Sequence, residues 1–245
     1  MAGNIVLAFD IYGTLFSFDA VTHELQRYLG DDKARAQTVS QTWRRYQLEY
    51  TWRLNSMGRY LPFRDVTKNS LVHALADTGS QLGPDEIEHV MATYNSLTLF
   101  PDVDSALGQI AVLPRVSAVI FSNGTPEMVS SCVDRTPSLS RHQGFFKDTI
   151  SVDRVGQYKP APAVYKHLAA RVGKGHSAMQ DIWLISGNPF DVAGALNVGM
   201  RAIWVDRAEA PWTDRVLPDL EPTATVHDLG QVAEVIRARS SITIA

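Results

Sequence analysis

Four short apolar runs, with longer helical stretches between them, constrain the fold most. The runs at residues 5–9, 116–121, 182–185 and 202–205 are rich in β-branched or aromatic residues, and each stops at polar or turn-forming residues. Runs this short and continuous suit buried strands, and the helical patterns between them argue for parallel βα units. Residues 151–155 are expected to add a short irregular strand. Val226 with residues 228–238 should form a closing strand and helix.

The interval from about residue 17 to residue 99 breaks this alternation. It shows no convincing strand. Residues 21–29, 33–54, 63–77 and 84–97 all carry helical patterns, punctuated by Gly30-Asp31-Asp32 and Thr78-Gly79. The expectation is an α/β core made of residues 1–16 and 99–245, with a helical insert at 17–98. An insert after the first strand suits a cap over the strand ends, where open α/β sheets bind ligands.

Composition excludes several classes. The chain has 245 residues, 45% hydrophobic and 20% charged, enough for one sizeable core. A net charge of −3 leaves no basic footprint for nucleic acid. The seven histidines include no HxH or HxxxH pair, so no zinc site is expected. The single cysteine, Cys132, permits no internal disulfide and reads as a small buried helix residue. Met1-Ala2-Gly3-Asn4 lacks a basic leader region, and no apolar run is long enough to span a membrane. A cytoplasmic protein is the default.

The strand ends carry the chemistry. Asp10 closes the first run and is followed by Ile11, Tyr12, Gly13, Thr14 and Leu15. A carboxylate there could simply cap the turn, or it could attack carbon. No second acid stands two positions on, so the site is poorly equipped to hold magnesium or to protonate a phosphate ester's leaving group. Ser122-Asn123-Gly124 ends the second run, where Asn123 or Thr125 could cap the next helix or the hydroxyl could hold an anion. Lys159 precedes Pro160, which is expected to open the helix containing Tyr165, and could point at Asp10. Ser186-Gly187-Asn188-Pro189-Phe190-Asp191 ends the third run. Ser186 or Asn188 could cap there, with Asp191 on the first helical turn. Four polar clusters at four strand ends are more than capping requires.

Together, Asp10-x-Tyr12-Gly13-Thr14-Leu15, Ser122-Asn123-Gly124, Lys159-Pro160 and Ser186-x-Asn188-x-x-Asp191 resemble the haloacid dehalogenase superfamily. The segment from Trp43-Arg44-Arg45 to Thr51-Trp52 looks like that of its L-2-haloacid dehalogenases. So do Met57-Gly58-Arg59-Tyr60, Phe100-Pro101-Asp102-Val103 and Ser151-Val152-Asp153. The match runs from the first strand to about Arg207. The resemblance implies a Rossmann-like parallel core under a helical cap, and metal-free, cofactor-free hydrolysis of short L-2-haloacids with inversion. Asp10 would be the nucleophile and carry an aspartyl ester. Ser122 and the N–H groups of Ile11 and Tyr12 would bind the substrate carboxylate. Arg44, Asn123 and Phe190 would cradle the halide. Thr14, Lys159, Ser186, Asn188 and Asp191 would orient Asp10 and the hydrolytic water, Asp191 being the preferred general base. Tyr165 would support that group, bonded to Lys159 or Asp191. Tyr12, Leu48 and Phe63 would line the apolar wall. A homodimer is also implied, with no nucleic-acid or membrane partner.

Two departures from the family pattern stand out. Arg45 follows Arg44, so which arginine faces the halide rests on alignment, and Gly187 and Phe190 occupy variable positions that leave pocket size and halide preference open. On the helical stretch at 33–54, Trp43, Gln47 and Tyr50 are expected to share a packing face. Arg44, Leu48 and Thr51 should share another, facing the site. The sequence admits three rival readings: a phosphatase, displacement of another C2 substituent such as a small-ring amine, and a non-catalytic scaffold. A phosphatase would have to bring a phosphate dianion to Asp10 unscreened. Two unit charges 4 Å apart repel by about 4 kcal/mol at an effective dielectric near 20. A monoanionic haloacid faces less repulsion, and halide leaves without a proton.

Overall fold

The computed structural model describes residues 4–142 and 144–240. Residues 1–3, where no leader is expected, lie outside the described residues. The strands are β1 (Ile5–Phe9), β2 (Phe16–Ser17), β3 (Thr98–Leu99), β4 (Val116–Ser122), β5 (Phe146–Ser151), β6 (Ile182–Ser186), β7 (Arg201–Val205) and β8 (Ala224–Val226). The first helices are α1 (Asp19–Tyr28), α2 (Lys33–Ser56), α3 (Phe63–Asp77) and α4 (Pro84–Thr93). They are followed by α5 (Val103–Ala111), α6 (Pro126–Asp134), α7 (Pro137–Ser140), α8 (Pro162–Arg171), α9 (Pro189–Asn197) and α10 (Val232–Ser240).

Six strands form one sheet in the order β5-β4-β1-β6-β7-β8, and every pairing is parallel. Burial of the strands explains the continuous apolar runs: β1 and β6 are buried at all five positions. The chain fills the β4 and β5 side of β1 first, then crosses to β6. The order therefore reverses at β1, and the crevice beyond its carboxyl end is where such sheets place ligands.

Helices α1–α4 occupy the interval after β1. The chain leaves and returns through a two-stranded antiparallel ribbon, Phe16 opposite Leu99 and Ser17 opposite Thr98. These short strands were not expected from sequence, because two residues carry no periodicity. The Asp32 side chain caps α2 by accepting from the Arg35 N–H, and Gly83 with Glu86 closes the start of α4.

Several boundaries differ from expectation. Residues 152–155 form a 3₁₀ turn rather than a strand, and the strand lies earlier at β5. The Ser151 hydroxyl accepts from the Asp153 N–H, turning the chain out of the sheet. Pro160 does not open a helix; α8 starts at Pro162. Helix α4 stops at Thr93, short of residue 97. Thr51 is buried beside Gln47 and Trp43 on the packing stripe of α2, not on the Arg44 face. Spacings of i+4 and i+8 bring it back there, and its hydroxyl is satisfied by the Leu48 carbonyl. Cys132 is buried on α6, as expected, and burial pushes its thiol up to about 11. Among the described residues, no helix is long and apolar enough to cross a membrane.

Candidate active site

Asp10 leaves β1 with its backbone N–H still tied to Ile185 of β6 at 3.0 Å. Gly13 then adopts φ +81°, a left-handed conformation that glycine takes without a Cβ penalty. The tight turn that follows folds Thr14 back over the strand end, where its hydroxyl donates to Asp10 Oδ2 at 2.8 Å. The turn engages the N–H groups of Gly13, Thr14, Leu15 and Phe16. Those of Ile11 and Tyr12 are left outside this set among the described residues.

Two further segments, the end of β6 and the loop that carries Lys159, converge on the same carboxylate. Asn188, after β6, donates from Nδ2 to Asp10 Oδ2 at 2.7 Å and to the Tyr12 carbonyl at 2.9 Å. Asn188 thus occupies the N-cap position of α9 but spends its side chain on the site. The Ser186 hydroxyl reaches Oδ2 at 3.4 Å. Lys159 Nζ approaches Oδ1 at 3.0 Å, and also donates to Asp191 Oδ2 and the Phe121 carbonyl, each at 2.8 Å. Its ammonium lies 4.2 Å from the centre of the Phe121 ring.

Lys159 is 1% exposed and Asp191 fully buried, so one cation sits between two carboxylates away from water. Burial disfavours the Lys159 ammonium, but Asp10 and Asp191 outweigh it and the net shift is upward. Burial raises the pKa of Asp191, opposed by Lys159 and reinforced by the Asp10 charge. Tyr165 donates to Asp191 Oδ1 at 2.7 Å, and burial then Asp191 hold its phenol well above the ordinary value. Of the two partners expected for Tyr165, the structure selects Asp191. Its ring fits under α9 because residue 194 is glycine: a Cβ there would lie 2.3 Å from the Tyr165 oxygen.

Arg44 reaches the site from α2. Its guanidinium donates to Asn188 Oδ1 at 3.1 Å and to Gln47 Oε1 at 2.6 Å, and lies 4.9 Å from the centre of the Phe18 ring. Arg45 points elsewhere, 66% exposed and 3.8 Å from Asp77. Geometry therefore separates two arginines that the sequence left ambiguous. A cavity of about 300 Å³ lined by Phe18, Val21, Trp43, Arg44 and Tyr94 lies beside this guanidinium.

The remaining expected residues divide. Ser122 is buried, its oxygen accepting from the Gly124 N–H at 3.0 Å. Phe63 stacks on Tyr12 with ring centres 5.8 Å apart, and Leu48 lies half-buried one turn beyond Arg44. Asn123 accepts from the Lys159 backbone N–H at 3.0 Å, holding the lysine's loop rather than bonding to Arg44. Phe190 meets the Trp52 ring at 5.7 Å and lines a larger groove of about 820 Å³ with Pro160 and Leu217. Asp10 itself is only 5% exposed, so the described state is closed over the carboxylate.

Sequence reasoning missed three residues. Phe18 faces Arg44. Asn55 clamps the Tyr158 peptide from α2 with two hydrogen bonds, at 2.9 and 2.7 Å. Arg207 donates to the Thr14 carbonyl at 3.0 Å while paired with Asp102. All three act between positions far apart in the chain, 26 for Phe18 with Arg44 and more than a hundred for the other two, where no local pattern can signal them.

A carboxylate ringed by donors, backed by a buried lysine and faced by an arginine, also has relatives. The model of the haloacid dehalogenase-like hydrolases matches residues 6–199. The chain belongs to that family. It is 35% identical to the (S)-2-haloacid dehalogenase of Xanthobacter autotrophicus over 204 residues, covering 82% of this chain and 74% of that protein. Its fold superposes on the crystal structure of an L-2-haloacid dehalogenase with a TM-score of 0.85 at 29% identity, covering 96% of this chain and 99% of the other. The L-2-haloacid dehalogenase structure of Xanthobacter autotrophicus with chloropropionic acid covalently bound gives 0.79 at 27% identity, covering 96% and 98%. The parallel sheet and helical segment are thus the architecture of dehalogenases in this hydrolase family.

Proposed function

We propose that this hydrolase removes halide from short L-2-haloalkanoic acids, giving D-2-hydroxy acids by inversion at C2. The observation that carries this reading is the Asp10 carboxylate, held by Thr14, Ser186, Asn188 and Lys159, with Arg44 fixed on the same Asn188. The relatives named (S)-2-haloacid dehalogenase support it.

An Asp10 oxygen attacks C2 from the face opposite the halogen. The C–O bond forms as the C–X bond breaks, and the electron pair leaves with the halide. Holding nucleophile and carbon in line supplies much of the rate, since orientation alone can be worth about 7–11 kcal/mol. Ser122 and the Ile11 and Tyr12 N–H groups hold the substrate carboxylate, and Tyr12, Leu48 and Phe63 shape the apolar wall. Arg44, permanently charged and weakly hydrated, receives the halide, and Asn123 and Phe190 complete the cradle. Water then attacks the ester carbonyl carbon of Asp10. Asp191 takes the water's proton, its raised pKa making it a stronger base than an exposed carboxylate. Collapse releases the hydroxy acid and regenerates Asp10, and the proton passes to solvent. Helices α1–α4, from about residue 17 to 98, act as the cap, and no metal or cofactor enters any step. A homodimer belongs to the same reading and is tested by light scattering of the purified protein.

The test is halide release from separate L- and D-2-chloropropionate with EDTA present, beside a generic phosphate ester with magnesium. Chloride from the L-enantiomer alone is expected. Phosphate release without chloride would overturn the reading.

A further inference from the structure

We infer that Gln47 is the positioning residue that aims Arg44 at the departing halide. The inference rests on the reading of Arg44 as the halide-binding group. Gln47 is fully buried on α2, three residues beyond Arg44, among the aromatic rings of Trp43 and Tyr94. A buried amide among rings needs all its polar atoms matched, and here they are.

The direction of each bond fixes the orientation of the next. The Thr67 hydroxyl has one hydrogen and donates it to the Phe63 carbonyl at 2.7 Å. Its oxygen is then free only to accept, and it takes the Gln47 Nε2 hydrogen at 2.7 Å. That turns Gln47 Oε1 toward Arg44, whose Nη1 donates at 2.6 Å, while the Tyr94 hydroxyl donates to the same oxygen at 3.2 Å. The other Arg44 nitrogen, Nη2, donates to Asn188 Oδ1, which forces Asn188 Nδ2 onto Asp10 Oδ2. An unbroken directional chain therefore runs from the α3 backbone to the nucleophile. Reversing the Gln47 amide would put N–H against guanidinium and leave Thr67 without its donor.

The chain also has an electrostatic consequence. A neutral acceptor holds Arg44 without cancelling its charge, so the guanidinium keeps its field for an anion. A carboxylate at position 47 would still accept from Arg44 but would withdraw that field, and, having no N–H, would leave the Thr67 oxygen without its donor.

The test uses Gln47→Leu and Gln47→Glu beside the wild-type protein. Two readouts are taken: kcat/KM for L-2-chloropropionate against L-2-bromopropionate, and inhibition by added bromide. The ratio kcat/KM reports the first irreversible step, here the displacement. Chloride is the poorer leaving group and leans harder on Arg44. Loss of a hydrogen bond to a charged group should cost the chloro substrate about tenfold or more in Gln47→Leu. The bromo substrate should lose clearly less. Gln47→Glu, with its fold checked by circular dichroism because it also loses the N–H given to Thr67, should raise the bromide inhibition constant several-fold and shift the bromo-to-chloro ratio in the same direction. A merely structural glutamine would lower both substrates alike and leave the ratio unchanged. Folded variants with the wild-type ratio and wild-type bromide inhibition would overturn the inference. If the wild-type protein released no halide from any haloacid, the parent reading would fall instead, so the two failures are distinguishable.

Discussion

Asp10 and Lys159 show how much depends on single atoms. Asp10→Asn keeps the size of the side chain but removes the charge that the proposed attack on C2 needs. It should abolish halide release while the circular dichroism spectrum stays native; measurable turnover would contradict the role. Lys159→Met has a different expected outcome. It leaves Asp10 and Asp191 buried without their shared cation, and breaking a buried pair costs about 3–5 kcal/mol. Denaturant unfolding should show that loss, together with loss of activity. The pH profile belongs to the same scale. Asp191 must be deprotonated to take a proton, and burial raises its pKa, so kcat should climb with pH through a value above the ordinary carboxylate's of about 3.9. Lys159 is shifted upward, so its ammonium persists through neutrality and brings no falling limb there. An acid limb at the ordinary carboxylate value would exclude Asp191 as the base.

Two helices decide how these atoms are presented. Helix α9 brings Asp191 to Lys159 only because Gly194 leaves room for Tyr165 beneath it. Gly194→Ala would put a Cβ 2.3 Å from the phenol oxygen and 2.7 Å from Pro160. It should cost about 1–3 kcal/mol in stability and lower kcat by displacing Tyr165 from Asp191. Thermal unfolding and steady-state kinetics check both parts, and an unchanged kcat would detach Tyr165 from catalysis. Arg44 of α2 is held through two different nitrogens, by Gln47 of the same helix and by Asn188 at the start of α9. Arg44→Lys keeps the charge but cannot span both acceptors in that geometry. It should therefore lose most activity without unfolding, and wild-type activity would remove Arg44 from the site. Strand ends were legible in the sequence because a buried run that stops at Asp, Ser or Asn is a local pattern. The face of α2 was only half legible: helical spacing placed Arg44 and Gln47 on neighbouring stripes, but Thr51 lies between two stripes by spacing, and the bond that turns the Gln47 amide comes from Thr67 of α3. Residues 152–155 misread as strand because Val152 and Val155 are β-branched, whereas the Ser151 side chain commits the backbone to a turn.

At the scale of the molecule, the parallel sheet supplies a fixed edge and the helical segment closes over it. Both crossings of the chain between them are paired, Phe16 with Leu99 and Ser17 with Thr98, and Asn55 fastens α2 to the peptide just before Lys159. None of these connections was legible beforehand, since each joins positions far apart in sequence, while the sheet and the long helical interval were. The central claim is that Asp10 forms a covalent ester that water then opens at the carbonyl carbon. Its most direct test is a single turnover, enzyme in excess over L-2-chloropropionate, in water labelled with heavy oxygen. The label should appear in the peptide carrying Asp10, and the hydroxy acid released in that turnover should be unlabelled. Label in the product, with none in Asp10, would mean that water attacks C2 directly and that Asp10 is not the nucleophile.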